Sequence, residues 1–167
     1  MTRSGSPAQP RRPRRRERST SHARVTTLEF PDGTRVRGSS LARRDSNATW
    51  RDFGLYCDPA WRPDWPAVVI DWPDFGLPTS DEQALLSIVD TYRRARSGER
   101  VEVGCLGGLG RTGTVLACFA VLGGLAPAAA VVWVRRHYDS RAIETAAQEA
   151  WVAWFAGRLA AGDGNDQ

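Results

Sequence analysis

The sequence contains no lysine, because all 23 of its basic residues are arginines. It has two histidines and three cysteines, and no two cysteines form a Cys-x-x-Cys pair. These counts fit neither a disulfide framework nor a zinc site, so we expect no metal and no cofactor. The chain also has no apolar run of the roughly 20 residues that a membrane span needs. We therefore expect a soluble protein with no membrane partner.

The first 22 residues are rich in arginine and proline and contain almost nothing apolar. Such a composition cannot bury enough surface to fold, so residues 1–22 are predicted to be a disordered tail. The apolar stretch of a secretory signal does not follow, which predicts a cytoplasmic protein. Without this tail the chain carries 16 arginines and 18 acidic residues, so the net charge of +4 comes from the tail. The tail could attract phosphate groups, but nothing in the other residues indicates a nucleic-acid-binding protein.

One domain of the usual size, about 100 to 150 residues, fits in the rest of the chain. We place it at residues 23–160 and expect residues 161–167 to be a flexible C-terminus. Near its start, "RVTTLEF" and "TRVRGSS" flank the turn signal Pro-Asp-Gly at residues 31–33, which predicts a β-hairpin. Residues 43–66 look loop-like, and "AVVID" at residues 67–71 is predicted to be a short buried strand.

Residues 80–96 are predicted to form a helix, because apolar side chains recur at spacings of three and four and because Ser80 and Gln83 fit a capping box. Gly98 would end this helix, and "RVEV" at residues 100–103 is predicted to be the next strand. Three later helices are predicted at about residues 111–122, 127–137 and 145–159. This alternation is typical of an α/β domain in which helices cover a mostly parallel sheet.

The segment "CLGGLGRTG" begins at Cys105, directly after that strand, and leads into a helix. Its glycines allow the backbone to curl so that successive N–H groups point inward, and the helix adds the positive end of its dipole. Arg111 follows six positions after Cys105 and can hold two oxygens of one anion. The segment therefore predicts a phosphate site, whose binding residues would be Leu106, Gly107, Gly108, Leu109, Gly110 and Arg111.

A thiol at the bottom of such a site has a lowered pKa, so the thiolate of Cys105 could attack a bound phosphorus atom. Thr112 would donate a hydroxyl hydrogen bond to the sulfur. The alternative is a glycine-rich turn that caps a helix and holds an incidental cysteine. A Walker phosphate-binding loop is excluded, because the Gly-Lys-Ser/Thr ending is absent.

The same segment resembles the Cys-x5-Arg-Ser/Thr signature loop of the protein tyrosine phosphatase superfamily. A second segment, "WPDFGLP" at residues 72–78, resembles the mobile general-acid loop of these enzymes, and the two occur in the family's order. This resemblance covers about residues 50–156 and implies the compact tyrosine phosphatase fold. It also implies that Asp74 is the general acid and base. Trp72 and Pro73 would be hinge and anchor of the loop, whereas Asp71 would make a structural hydrogen bond.

A third segment, "SRAIETAAQEAWVAWF", is similar to the family's late Arg-x-x-x-Thr-x-x-Gln pattern through Arg141, Thr145 and Gln148. The resemblance implies that Gln148 positions the hydrolytic water. Thr145 and Gln148 also form a capping box for the last helix, so a structural role is the alternative.

The sequence departs from the family at Gly104, where the family usually has a histidine that supports the low pKa of the nucleophile. Glu102, two residues earlier, is expected to be an exposed strand residue. Cys118 is expected to be a buried apolar cysteine, although Cys118 or Cys57 could serve as a resolving thiol after oxidation of the nucleophile.

The tryptophan-rich residues 50–65 could line the pocket, with Arg51 or Arg62 near the substrate. No counterpart of the tyrosine motif of the large receptor-type enzymes is found, so the chain resembles the compact, dual-specificity-like members. The sequence thus predicts a cysteine-dependent phosphatase that hydrolyses phosphomonoesters of proteins or small molecules through a phosphocysteine intermediate. One alternative is a weak or inactive phosphoresidue-binding module, which Gly104 leaves open although Cys105, Arg111 and Asp74 argue against it. The other is a sulfur-transfer or arsenate-reducing enzyme, which Asp74 disfavours.

Overall fold

The computed structural model describes residues 25–43 and 50–163 of the chain. The predicted disordered tail at residues 1–22 lies outside them. The strands are β1 (Thr26–Glu29), β2 (Arg35–Ser40), β3 (Phe53–Tyr56), β4 (Ala67–Val69) and β5 (Val101–Cys105). The α-helices are α1 (Asp81–Arg96), α2 (Gly110–Leu122), α3 (Pro127–His137) and α4 (Ala146–Asp163), and a short 3₁₀ helix (Leu41–Arg43) follows β2.

The five strands form one sheet in the order β1-β2-β5-β3-β4. Strands β1 and β2 run antiparallel, and the other three neighbouring pairs run parallel. The turn between β1 and β2 depends on Gly33, whose φ of +85° lies in the left-handed region that favours glycine. The predicted α/β fold, with a mostly parallel sheet and an N-terminal hairpin, is confirmed.

The prediction that residues 43–66 form a loop is wrong for β3, which lies inside the sheet beside β5. This strand has four residues and includes Gly54, so it carries no alternating pattern. Glycine is required there because the ring of Tyr56 folds back over it, and a Cβ would lie 2.6 Å from Cζ of Tyr56. The strand predicted at residues 67–71 is present as β4, but it is a half-buried edge strand of three residues.

The helices begin and end close to their predicted positions. Helix α1 is capped by Ser80, whose hydroxyl oxygen accepts a hydrogen bond from the N–H of Gln83 at 3.4 Å. Every residue of α2 from 110 to 120 is buried, which requires an apolar sequence on all sides of the helix. Helix α4 continues to Asp163, so residues 161–163, which the sequence assigns to the flexible C-terminus, are helical. None of the described helices combines the length and hydropathy needed to cross a membrane.

The carboxyl ends of β2, β5 and β3 meet at one edge of the sheet, because these strands are parallel neighbours. Ser40 at the end of β2 pairs with Cys105 at the end of β5, and Tyr56 of β3 pairs with Gly104. Ligands of open α/β sheets bind at such an edge. The segments that follow these three strands are therefore where a functional site is expected.

Candidate active site

The thiol of Cys105 lies at the end of β5, where the residue is 2% exposed. Its sulfur accepts a hydrogen bond from the N–H of Gly108 at 3.2 Å. It accepts a second from the hydroxyl of Thr112 at 3.0 Å, which is the contact expected of Thr112 from the sequence. Two donors from the segment that follows β5 thus point at this one sulfur.

Residues 106–109 join β5 to α2, and together with Gly110, the first residue of α2, we call them the phosphate loop. Gly108 has a φ of +71°, and a Cβ there would lie 2.9 Å from the carbonyl oxygen of Ser39. Glycine is thus required both by the conformation and by the close approach of β2. Helix α2 begins at Gly110, so the positive end of its dipole faces this loop. The arrangement is suited to binding an oxyanion.

Arg111 is 4% exposed and connects three segments around the phosphate loop. Its Nη1 donates to the carbonyl oxygens of Cys57 at 2.7 Å and Trp72 at 2.9 Å. Its Nη2 lies 3.1 Å from Oδ1 of Asp74. Its Nε is buried and has no hydrogen-bond partner among the described residues. A buried donor of this kind costs about 1–3 kcal/mol when it is left unsatisfied, and a bound oxyanion could satisfy it.

Residues 72–78, which we call the acid loop, are closed over Arg111. Trp72 anchors the loop, since its ring is fully buried against Trp151 at 5.2 Å and its Nε1 donates to the carbonyl oxygen of Gly76 at 2.8 Å. The Asp74 side chain is 57% exposed above the guanidinium. The next residue, Phe75, has a φ of +56°, which is uncommon for a bulky side chain. The loop therefore adopts a constrained turn that presents the carboxylate of Asp74 to Arg111.

Asp71, the competing carboxylate, lies outside this group of contacts. Its carbonyl oxygen accepts hydrogen bonds from the N–H of Thr79 at 2.9 Å and from the Thr79 hydroxyl at 3.2 Å. The structural hydrogen bond expected of Asp71 is thus made by its backbone, while its side chain is exposed.

Gln148 is fully buried and bridges the two loops. Its Nε2 donates to the carbonyl oxygen of Gly76 at 3.4 Å, and its Oε1 accepts from the N–H of Glu144 at 2.9 Å. The Thr145 hydroxyl accepts from the N–H of Gln148 at 3.2 Å, so the capping interaction is also present. A Cβ at Gly110 would lie 3.2 Å from Oε1 of Gln148. The amide of Gln148 therefore lies beside the phosphate loop and the acid loop at once.

Glu144 is a site residue that the sequence reasoning missed. Its carboxylate occupies the space that a side chain at Gly110 would fill. No local signal marks it, because Glu144 precedes α4 and occupies an unspecified position of the Arg-x-x-x-Thr-x-x-Gln pattern. Arg141 of the same segment instead pairs with Asp139 at 3.1 Å, and these hydrogen bonds hold the pKa of Asp139 below its ordinary value.

Glu102 is 4% exposed, so the expectation of an exposed strand residue is wrong. Its carboxylate lies 3.0 Å from Nε of Arg51 and 3.7 Å from Nε of Arg37, and it accepts a hydrogen bond from the Tyr56 hydroxyl at 2.9 Å. We call these four residues the Glu102 cluster. Tyr56 of this cluster also limits the space at Gly104. A Cβ there would lie 3.2 Å from Cδ1 of Tyr56 and 2.9 Å from Oγ of Ser39, which explains why this position is a glycine.

The tryptophan-rich segment packs against this cluster. The rings of Trp61 and Trp65 each lie 6.1 Å from that of Tyr56, and the guanidinium of Arg51 lies 4.4 Å from the Trp65 ring. Arg51 is therefore not available to a substrate, contrary to the hypothesis from the sequence. Arg62 donates to the carbonyl oxygens of Pro59 and Trp61.

The other two thiols are buried. Burial raises the pKa of Cys57 and of Cys118 well above the ordinary value for a thiol. The prediction that Cys118 is a buried apolar cysteine is confirmed, since it is 0% exposed on α2. Cys57 follows β3 and supplies its carbonyl oxygen to Arg111. A resolving role for either thiol stays a prediction.

The family model described as "PTP-SAK: Swiss Army Knife protein, DSP-PTPase phosphatase domain" matches residues 76–152. That range contains the phosphate loop, Arg111 and Gln148.

Two uncharacterized proteins of Methanocaldococcus jannaschii are similar in sequence. One is 40% identical over 88 residues, which are 52% of this chain and 57% of that protein. The other is 38% identical over 87 residues, which are 52% of this chain and 53% of that protein. The matched region thus spans about half the length of these curated relatives.

Two crystal structures are similar in fold. Tk-PTP in its active form has a TM-score of 0.66 and 27% sequence identity, over 80% of this chain and 97% of that one. The kinase associated phosphatase, with its catalytic cysteine replaced by serine, has a TM-score of 0.69 and 15% identity, over 85% and 98%. The second shows the fold alone. The family match and the Tk-PTP structure support a dual-specificity-like member of the protein tyrosine phosphatase superfamily.

Proposed function

We propose that this protein is a cysteine-dependent phosphatase that hydrolyses phosphomonoesters of tyrosine and of serine or threonine through a phosphocysteine intermediate. The observation that carries the proposal is the Cys105 thiol, which accepts two hydrogen bonds inside the phosphate loop, beside the 3.1 Å Arg111–Asp74 pair. This group provides a nucleophile, an anion clamp and a carboxyl group within one site.

In the first step, the Cys105 thiolate attacks phosphorus, so an S–P bond forms and the bond to the ester oxygen breaks. Asp74 in its acid form gives its proton to that oxygen. A phosphate dianion carries more charge than a carboxylate, so it would replace Asp74 on the guanidinium of Arg111 and leave Asp74 above the ester oxygen. The N–H groups of the phosphate loop would hold the other oxygens.

In the second step, water attacks the phosphocysteine and the S–P bond breaks. Asp74 accepts the proton of this water, and Thr112 stabilises the departing thiolate through its 3.0 Å hydrogen bond. The buried amide of Gln148 is suited to orienting the water, because it contacts Gly76 of the acid loop and lies beside Gly110. Glu144 adds a second carboxylate near this position.

The exposed side chains at the rim of the site support activity on both phosphoserine and phosphotyrosine. Leu106 of the phosphate loop is 51% exposed and Phe75 of the acid loop is 61% exposed. A site whose rim is this open lets a short phosphoserine side chain approach the sulfur, while the apolar side chains can pack against a phosphotyrosine ring.

The proposal is tested by measuring the hydrolysis of a phosphotyrosine peptide, a phosphoserine peptide and an aryl phosphate with a good leaving group, in the presence of a chelator. We expect Cys105→Ser to abolish turnover of all three. Asp74→Asn should lower kcat by about 10²–10⁴ on the peptides, and by less on the aryl phosphate, which needs no proton to leave. Asp71→Asn is the matched control, because it removes a neighbouring exposed carboxylate and should retain activity.

The second candidate is a phosphoresidue-binding module, which is favoured by Gly104 at the position of the family's usual histidine. It predicts that the wild type binds a phosphopeptide without releasing phosphate. Turnover that survives in Cys105→Ser would contradict both candidates.

A further inference from the structure

The orientation of the N–H groups in the phosphate loop is set by what holds its carbonyl groups. In a trans peptide the C=O of one residue and the N–H of the next point in opposite directions. A loop carbonyl that is bonded from outside therefore turns the following N–H toward the centre of the loop, where an oxyanion would bind.

Two side chains outside the loop bind its carbonyls in this way. The Tyr138 hydroxyl donates to the carbonyl oxygen of Gly108 at 2.6 Å, which turns the N–H of Leu109 inward. The Ser40 hydroxyl donates to the carbonyl oxygen of Leu106 at 2.8 Å, which turns the N–H of Gly107 inward. Neither side chain belongs to the motifs that identify the family.

Tyr138 is placed by packing that depends on a second glycine. It caps the end of α3, and its ring lies against β2, where a Cβ at Gly38 would be 2.9 Å from its Cζ. Burial and the nearby charge of Cys105 raise the pKa of Tyr138 above its ordinary value. Its hydroxyl thus remains a donor throughout the neutral range.

Without this donor the peptide between Gly108 and Leu109 loses the hydrogen bond that fixes its carbonyl group, so it can rotate more easily. Gly108 has no side chain, so it can adopt φ and ψ values that other residues avoid. A rotated peptide would present a carbonyl oxygen to the bound phosphate, and the two would repel each other.

We propose that Tyr138 and Ser40 are positioning residues that hold the N–H groups of Leu109 and Gly107 toward the bound phosphate. This inference rests on the proposed function, since it assigns the groups that orient the phosphate site of that enzyme. Both residues act through the backbone of the loop and do not touch the substrate.

The test measures kcat and KM on an aryl phosphate, the affinity for tungstate by calorimetry and the thermal midpoint, for Tyr138→Phe and Ser40→Ala. Tyr92→Phe is the matched control, because its buried hydroxyl donates to Asp32 at 3.0 Å, away from the site. We expect Tyr138→Phe to lower kcat by about 10- to 100-fold, against roughly 10²–10³ for outright loss of an oxyanion donor. Tungstate should bind about tenfold more weakly, while the thermal midpoint should change no more than in Tyr92→Phe.

Ser40→Ala should show the same pattern more weakly, because the N–H of Ala42 also donates to the Leu106 carbonyl at 3.1 Å. Ser40→Thr keeps the hydroxyl and should restore kcat. If Tyr138→Phe fails to fold, the comparison of Ser40→Ala with Ser40→Thr tests the positioning role instead. Wild-type kcat and tungstate affinity in the folded variants would overturn the inference.

The two proposals fail in different ways. A wild type that binds tungstate but turns nothing over would refute the phosphatase, while the tungstate affinities of the variants would still decide the positioning role. A wild type that binds no tungstate would overturn both proposals.

Discussion

At the scale of single residues, the packing around Gly104 explains why glycine stands where the family usually has a histidine. The hydroxyl of Ser39 and the ring of Tyr56 occupy the space beside its Cα, and a Cβ there would be 2.9 Å from the first and 3.2 Å from the second. Tyr56 cannot withdraw easily, because its hydroxyl bonds to Glu102 and accepts the indole N–H of Trp65 at 3.0 Å. The family's histidine is thus excluded by packing.

We therefore expect Gly104→Ala to lower the free energy of unfolding by about 1–3 kcal/mol, the usual cost of inserting a group into a well-packed core. Gly104→His should cost more and should not raise kcat. The matched control is Gly157→Ala on α4, where a Cβ meets nothing within 4 Å and the unfolding free energy should rise by about 0.5–1 kcal/mol. Urea unfolding of the three variants measures these changes. A stable and faster Gly104→His would show that the strand ends can separate to admit a side chain.

At the scale of elements, the Glu102 cluster joins the three strands whose ends meet at the candidate site. Arg37 lies on β2, Tyr56 on β3 and Glu102 on β5, and Arg51 precedes β3. The side chains of Glu102 and Arg51 are 5% and 2% exposed. The buried carboxylate of Glu102 is stabilised by the guanidinium groups of Arg37 and Arg51. Removing the carboxylate charge would leave these two buried positive charges without a counter-charge.

Glu102→Gln should therefore lower the free energy of unfolding by about 3–5 kcal/mol. Glu82→Gln is the control, because Glu82 pairs with Arg158 at 2.8 Å on the surface, with side chains 60% and 50% exposed, and such pairs contribute about 0–1 kcal/mol. Chemical denaturation compares the two variants with the wild type. Equal losses in both would mean that the buried cluster contributes no more than a surface pair.

The elements also differ in how far the sequence predicted them. Helix α1 was predictable because its cap, Ser80, and its stop, Gly98, lie next to it in the chain. Strand β3 was not predictable, because it has only four residues and one of them is Gly54. Its place in the sheet comes from pairing with β5, about 50 residues away, which no local pattern records.

At the scale of the whole molecule, charged pairs fasten segments that are distant in the chain. Arg100, which directly precedes β5, donates to both carboxylate oxygens of Asp52 before β3, at 2.7 and 3.1 Å. Hydrogen bonds from this side chain lower the pKa of Asp52 to about 2. The local Asp139–Arg141 pair, two positions apart in the chain, also lowers the pKa of its aspartate.

Because these pKa values are lower in the folded state than the usual value of about 3.9 in an unfolded chain, the stabilisation is complete above about pH 4. It is lost as the pH falls through the folded pKa of Asp52, about 2. We therefore expect the thermal midpoint to be steady from pH 7 to 5 and to fall between pH 4 and 2. Asp52→Asn should show a shallower fall over that window when both proteins are titrated in parallel. An identical acid profile in the variant would show that this pair does not contribute.

The sequence by itself determined the α/β class, the helices and the two segments that carry Cys105, Arg111 and Asp74. These features depend on local chemistry, since caps, glycine-rich turns and apolar spacing act between residues close together in the chain. Only the tertiary structure decided what surrounds those groups. It brought Glu144 against Gly110, buried Glu102 on the strand that ends at Cys105 and placed the Tyr138 hydroxyl on the Gly108 carbonyl, 30 residues away in sequence. Such contacts arise where the ends of parallel strands and helices pack together, and burial then selects the side chains that fit the space and satisfy the backbone.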